Sequence, residues 1–231
     1  MGNPDVMGAT TSWYQLVYND FWGTPLVDSG SHGSYRPLCV LSFKLNHMFG
    51  GFKPVGYHLV NVLLHCLATG LVVKLARHIL PYGFGTLISG LLFASHPIHT
   101  ETVAGIVGRA DLIACNFYIL TLLSYIRHVQ WREKSDLRHW FALGGAIFCA
   151  SAAVLCKETA ISALIVCGIY DFLKRFNTYS KDKVSTYIYS KSMFQTNNLY
   201  NIMNLLSLIL HFLSFELLIF YTYCNSILLK S

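Results

Sequence analysis

The chain has 231 residues, of which 54% are hydrophobic and only 12% charged, and its mean hydropathy of +0.46 belongs to a membrane protein rather than a soluble globule. Its net charge of +6 comes from 17 Lys and Arg against 11 Asp and Glu; in so apolar a chain that excess orients helices and makes no nucleic-acid footprint. The 7 cysteines (Cys39, Cys66, Cys115, Cys149, Cys156, Cys167 and Cys224) are dispersed through apolar runs without CxxC spacing, so they read as small packing residues and not as a redox or metal motif.

Residues 1–56 carry Gly, Pro and polar residues throughout and hold no apolar run long enough to cross a bilayer. They also lack the basic start and apolar core of a signal peptide. Within them Leu38, Leu41 and Leu45, with Val40, Phe43 and Met48, predict an amphipathic helix after Pro37 that lies at the membrane surface, interrupted by Lys44, Asn46 and His47. Residues 57–76 are the first spanning segment, since about 20 apolar residues cross a hydrocarbon core of about 30 Å. Lys74, Arg77 and His78 close it. His58, Asn61 and His65 fall near one face at helical spacing, as a polar seam between packed helices would.

After a turn at Pro81-Tyr-Gly83, residues 84–95 are apolar but short: a tilted span extended backwards through Ile79, or a buried half-helix, with Gly85 and Gly90 allowing close packing. Residues 112–129 form the next span, ending in Arg127, His128, Arg132, Lys134 and Arg138, with Trp131 and Trp140 flanking the basic loop where interface aromatics belong. Residues 141–155 are another span, and Lys157-Glu158 interrupts the apolar run before residues 159–173, which Lys174 and Arg175 end. The region 57–177 is therefore expected to be an all-α, polytopic transmembrane helical bundle of about five spans. From about Thr178 the composition shifts to Tyr, Asn, Ser, Ile and Leu, without Gly, Ala, Pro, Trp or Arg. Residues 178–231 are read as an atypical tail with one further candidate span at 201–229, where Glu216 near the middle costs several kcal/mol unless paired.

If basic loops face the cytosol, the turns after Ala76, Val129 and Leu173 are cytosolic. Residues 1–56, 96–110 and 157–158 then share the opposite side of the membrane. That side collects the polar cluster His96-Pro-Ile-His-Thr-Glu101, running on to Arg109-Ala-Asp111. Ionisable groups between apolar segments are costly enough for function to be their default reading.

Asn19-Asp-Phe-Trp-Gly23, Ser34-Tyr-Arg-Pro-Leu38, His58-Leu-Val-Asn-Val-Leu-Leu-His65, the 96–111 run and Lys157-Glu-Thr159, read in that order, resemble the transmembrane and tetratricopeptide-repeat-containing O-mannosyltransferase family. The resemblance covers roughly residues 3–177 and implies the membrane fold of class C glycosyltransferases, in the endoplasmic reticulum. It implies transfer of mannose from dolichyl phosphate mannose to Ser or Thr of secretory-pathway proteins in the lumen, notably cadherins. Residues 1–56 become a lumenal loop with an interfacial helix, and 178–231 stand outside the family fold. Family members carry an acidic pair in a loop ahead of the Asn3-Pro-Asp5-Val stretch and an array of repeats downstream of the membrane region. The chain is therefore read as a fragment or truncated product of such a protein, with a catalytically silent membrane scaffold as the alternative. A transporter is disfavoured, because neither inverted repeats nor paired broken helices are visible.

Transfer of a sugar from a lipid phosphate to a hydroxyl needs a base near the acceptor, donors at the leaving phosphate and a water-poor pocket. Arg36, Arg109 and Lys157 suit the phosphate; Glu101 or Asp20 suits the acceptor hydroxyl; His96 and His99 suit phosphate or sugar oxygens, and Glu158 joins the donor site through Lys157. Arg109 and Asp111 are also candidates to pair and cap the following helix, and Lys157-Glu158 to form an ion pair of structural value. His96-x-x-His99 with Glu101 is a weak signal for a divalent metal, because Pro97 disfavours a helix presenting both rings together. No metal ligand is assigned and no covalent cofactor is expected.

Overall fold

The computed structural model describes residues 3–8, 14–80 and 83–184, with side chains to residue 176. Among the described residues every regular element is helical, and β pairing is limited to a bridge between Asn19 and Pro25. The helices are α1 (Pro4–Met7), α2 (Gln15–Tyr18), α3 (Pro37–Gly50), α4 (Pro54–Ala76), α5 (Phe84–Ser95), α6 (His99–Ala104), α7 (Arg109–Glu133), α8 (His139–Cys156) and α9 (Ser162–Val184), with a 3-10 turn at Glu158–Ile161 before α9. The chain divides into one compact unit, Met1–Cys167, and a second, Gly168–Ser231.

Among the described residues three helices are long and apolar enough to cross a membrane: α4, α7 and α8, of 23, 25 and 18 residues. Proline sits in the first turn of α3 and α4, where its missing N–H costs nothing. The expected segments 57–76, 112–129 and 141–155 lie inside α4, α7 and α8, each of which starts two or three residues earlier. Residues 84–95 form α5 as a 12-residue helix, about 18 Å long at 1.5 Å per residue and so too short to cross alone.

Two registers define the bundle. The α7 Arg109 guanidinium bonds Tyr57 O of α4, and the amide of Asn116 donates to Leu64 O, each at a separation of 52 residues, so α4 and α7 run parallel with a fixed offset. Leu71 packs with Ile119 and Leu123 further along the same seam. In contrast, α7 and α8 form an antiparallel hairpin, pinned by His128 against His139 at the turn and by Lys157 against Asp111 at the open end. The short α5 runs antiparallel to α4: a Cβ added to Gly90 would meet Val73 at 2.5 Å, and Ala94 O accepts from His65 at 3.2 Å. Thus α5 stops beside the middle of α4, and residues 96–108, including α6, cover the rest of the return.

The amphipathic helix after Pro37 is α3; of its expected apolar set Val40 and Phe43 are buried, together with Cys39 and Lys44, while Leu45 and Met48 are exposed. The reason is tertiary. Phe43 joins Val6, Leu16, Phe21, Val40, Tyr57 and Ala110 in a cluster that fastens the N-terminal segment onto the starts of α4 and α7. Burial, with Cys156 adding to it, pushes the Cys39 thiol up to about 12; it packs as an inert apolar group.

In the second unit the helix does not end at Lys174 and Arg175 but continues to Val184, with Arg175 donating to Asp171 at 2.8 Å one turn back and Phe172 stacked on Phe176 at 6.3 Å. The candidate span at 201–229, with Glu216, lies outside the described residues.

Candidate functional site

The starts of α4 and α7, the end of α8 and the loops beside them form one polar end of the first unit. Its base is Arg109, the first residue of α7 and 0% exposed. The guanidinium Nε donates to Asn61 Oδ1 (3.0 Å), Nη2 to Asn46 Oδ1 (2.9 Å) and Tyr57 O (2.9 Å), and Nη1 to Ser42 O (3.4 Å). It lies over the rings of Phe43 at 4.5 Å and Tyr57 at 5.4 Å. A buried cation without a carboxylate is tolerable only when its donors are met and aromatic faces supply negative charge. Arg109 therefore joins α3, α4 and α7 and presents no edge outward. Gly108, just before it, is a residue that only glycine satisfies: a Cβ there would stand 2.4 Å from Thr102 O.

Two ion pairs sit above this base. Arg36 donates to Glu158 through Nε (3.4 Å) and Nη2 (3.1 Å), across 122 residues, and stacks at 5.6 Å over Phe21. Lys157 donates to Asp111. Neither pairing considered from sequence proximity forms: Arg109 turns to neutral acceptors rather than Asp111, and Lys157 and Glu158 face different partners rather than each other. The pairs are incompletely enclosed, with the side chains of Glu158 and Asp111 48% and 36% exposed.

Asp20 is 1% exposed and both its oxygens are occupied. Oδ1 accepts from the backbone N–H of Trp22 and Thr24, each at 2.9 Å, and Oδ2 from Ser31 Oγ at 2.9 Å and His32 N at 3.1 Å. Burial alone would raise its pKa; the hydrogen bonds from Thr24, Ser31, His32 and Trp22 outweigh it and hold the carboxyl below its usual range. Next to it Asp5, also buried, accepts both contacts from Asn19 Nδ2 (2.9 and 3.0 Å), and Asn3 Nδ2 donates to Phe21 O at 2.7 Å. Gly23, with φ +88°, closes this turn, where a Cβ would meet Pro4 at 2.7 Å. The Asn-Asp-Phe-Trp-Gly run is thus a self-satisfied loop whose Phe21 supports Arg36.

His96 and His99 come together with His65 and Phe93. The His99 ring is 4.4 Å from Phe93, 5.2 Å from His65 and 6.1 Å from His96. Burial first, then His65 and His96, lower the His99 pKa to about 4, so it is neutral at physiological pH. Ile98 N donates to His96 Nδ1 at 3.2 Å, which leaves Nε2 as the donor of a neutral His96 ring. Glu101, in the first turn of α6, has an exposed carboxylate. Among the described residues no group of three or more His, Cys, Asp or Glu side chains is placed to hold a metal ion.

Asn46, Asn61 and Ser42 are functional neighbours of Arg109 that sequence reading did not single out for it; the signal available was the polar interruption of two otherwise apolar helices.

Protein O-mannosyl-transferase Tmtc2 of Drosophila melanogaster is 60% identical over 175 residues, covering 75% of this chain. Protein O-mannosyl-transferase Tmtc1 of the same organism is 57% identical over 184 residues, 80% of the chain, and human Protein O-mannosyl-transferase TMTC2 is 53% identical over 161 residues, 70% of the chain. The chain belongs to this transmembrane and tetratricopeptide-repeat family. It spans 19%, 21% and 19% of the lengths of these three relatives. No protein-family model matches the chain, and no solved structure matches it.

Proposed function

We propose that this chain forms part of the membrane core of a protein O-mannosyltransferase of the endoplasmic reticulum, with the polar end as its lumenal, donor-facing side. The donor is dolichyl phosphate mannose, and the acceptors are Ser or Thr hydroxyls of secretory-pathway proteins, cadherin-type domains among them. The observation that carries this reading is that two partly open cations, Arg36 and Lys157, each facing a carboxylate, lie at the polar end where α7 starts and α8 finishes. In the reaction the acceptor hydroxyl attacks the anomeric carbon, the bond from that carbon to the phosphate oxygen breaks, and dolichyl phosphate leaves.

Each residue takes a role that fits its surroundings. Arg36 and Lys157 receive the leaving phosphate, with Glu158 and Asp111 holding them when the donor is absent. Glu101 accepts the proton of the acceptor hydroxyl. His96 and the neutral His99 contact sugar or phosphate oxygens. Arg109 and Asp20, both enclosed by protein partners, position this machinery. The silent-scaffold alternative draws on the outward apolar faces of α4, α5 and α8, including Leu63, Leu91 and Phe148, which suit packing against further helices or lipid.

The test is transfer of labelled mannose from dolichyl phosphate mannose to a cadherin-type domain by membranes carrying this segment, in this chain and in the fruit-fly relative, with Glu101→Gln and Arg36→Ala introduced into each. Loss of transfer with normal protein levels supports the assignment; transfer unchanged in both variants overturns it and leaves the scaffold.

A further inference from the structure

The opposite end of the first unit holds a second cluster of charge that the transferase reading does not use. The parallel register of α4 and α7, fixed at 52 residues by Arg109 with Tyr57 and Asn116 with Leu64, brings Lys74 and His78 at the end of α4 beside Arg127 on α7. All three side chains are exposed. Burial first, then Arg127 and Lys74, lower the His78 pKa, so the three groups lie within electrostatic reach and repel one another. Among the described residues none of the three has a carboxylate partner. The acidic groups of this end are engaged elsewhere: Asp136 accepts from Arg138 at 2.6 Å, and Glu133 has a partner of its own.

The surroundings are those of a lipid interface. Arg138 lies over Trp131 at 5.2 Å, His139 contacts Trp140 at 4.8 Å, and Trp140, Leu137 and Phe141 are exposed at the turn between α7 and α8. Tryptophan and basic residues at the end of spanning helices mark the headgroup level. A cation cluster there attracts anionic lipid.

We propose that Lys74, His78 and Arg127 form a binding site for the headgroup of an anionic phospholipid in the leaflet that meets the α7–α8 turn. The lipid phosphate and its acidic headgroup sit between the ends of α4 and α7, and the acyl chains lie along the apolar outer face of these helices. Phospholipid is favoured over a soluble anion because the cations stand where spanning helices end. The inference is independent of the transferase reading.

The experiment is native mass spectrometry of the full chain released from micelles with added dioleoyl phosphatidylserine or dioleoyl phosphatidylcholine. The chain is expected to retain phosphatidylserine preferentially, and Lys74→Gln with Arg127→Gln to weaken that retention roughly 25-fold, about fivefold for each cation. Arg138→Gln, whose parent side chain is already held by Asp136, keeps the preference and controls for loss of charge in general. Equal retention of the two lipids, or an unchanged preference in the double variant that keeps its helical circular dichroism, overturns the proposal. Displacement of phosphatidylserine by an equal concentration of inorganic phosphate overturns the lipid assignment.

Discussion

At the end formed by the starts of α4 and α7, Arg36 and Lys157 each face a carboxylate and Arg109 is enclosed by neutral acceptors and aromatic rings. At the far end Lys74, His78 and Arg127 gather near the ends of α4 and α7, and among the described residues none of the three pairs with a carboxylate. At that far end the acids Asp136 and Glu133 serve other partners. Partnered charge fixes geometry, since each pair ties together segments distant in sequence, whereas unpartnered charge supplies a field and leaves geometry to the apolar helices.

The contrast is sharpest at Arg109. Arg109→Leu removes a fully buried guanidinium and strands Asn61, Asn46 and Tyr57 O, so a loss of about 3–5 kcal/mol is expected, read as a large drop in the thermal unfolding midpoint in detergent. Arg127→Gln at the opposite end should stay within about 0.5 kcal/mol; equal effects from the two would erase the distinction. Asp20→Asn keeps the shape of the loop but replaces one carboxylate oxygen that accepts two bonds by an amide donor. A cost of about 1–3 kcal/mol is expected, together with faster hydrogen exchange at Trp22, Thr24 and His32.

His99 gives a dependence on pH. Its folded pKa, about 4, lies below the ordinary histidine value of 6.5. Its contribution to stability is therefore complete above 6.5 and is lost as pH falls from there toward 4. Hydrogen exchange in α6 should accelerate over that interval, and His99→Phe should flatten the response; an unchanged slope would show that His99 is not the titrating group. The smallest effect is expected for the half-exposed Arg36–Glu158 pair, with a coupling of about 0.2–1 kcal/mol in a double-mutant cycle of unfolding. A coupling of several kcal/mol would mean that the pair is structural in the same sense as Arg109.

The spanning helices α4, α7 and α8 were legible because long apolar runs bounded by Pro, Trp and basic residues can do little else in a membrane. The meeting of Arg109 and Glu158 with the N-terminal region follows from the same helices, which bring the start of α7 and the end of α8 to one end of the hairpin. What could not be read was the choice of partner. Arg109 is two residues from Asp111 yet bonds Asn61 and Asn46, 48 and 63 residues away, and Glu158 reaches Arg36 across 122. Local spacing carries no information on such pairings, which follow from the register of α4 on α7. Which part of the apolar set of α3 turns inward follows from the same register: Val40 and Phe43 do, while Leu45 and Met48 stay exposed. Leucine spacing alone favours one stripe, but the small Cys39 and the ring of Phe43 fit against Tyr57 and Ala110.

The hairpin of α7 and α8 also makes chain length into an angle. The 18 residues of α8 complete about five turns at 3.6 residues per turn, so the helix meets α7 with one face at both extremities, through His139 at the turn and through Lys157 just past its last residue. A codon gained or lost within α8 would swing Lys157 by about 100° away from Asp111, while the same change among residues 134–138 would leave that alignment intact. Length variation among descendants of this gene should accordingly be tolerated in the turn and excluded from the helix.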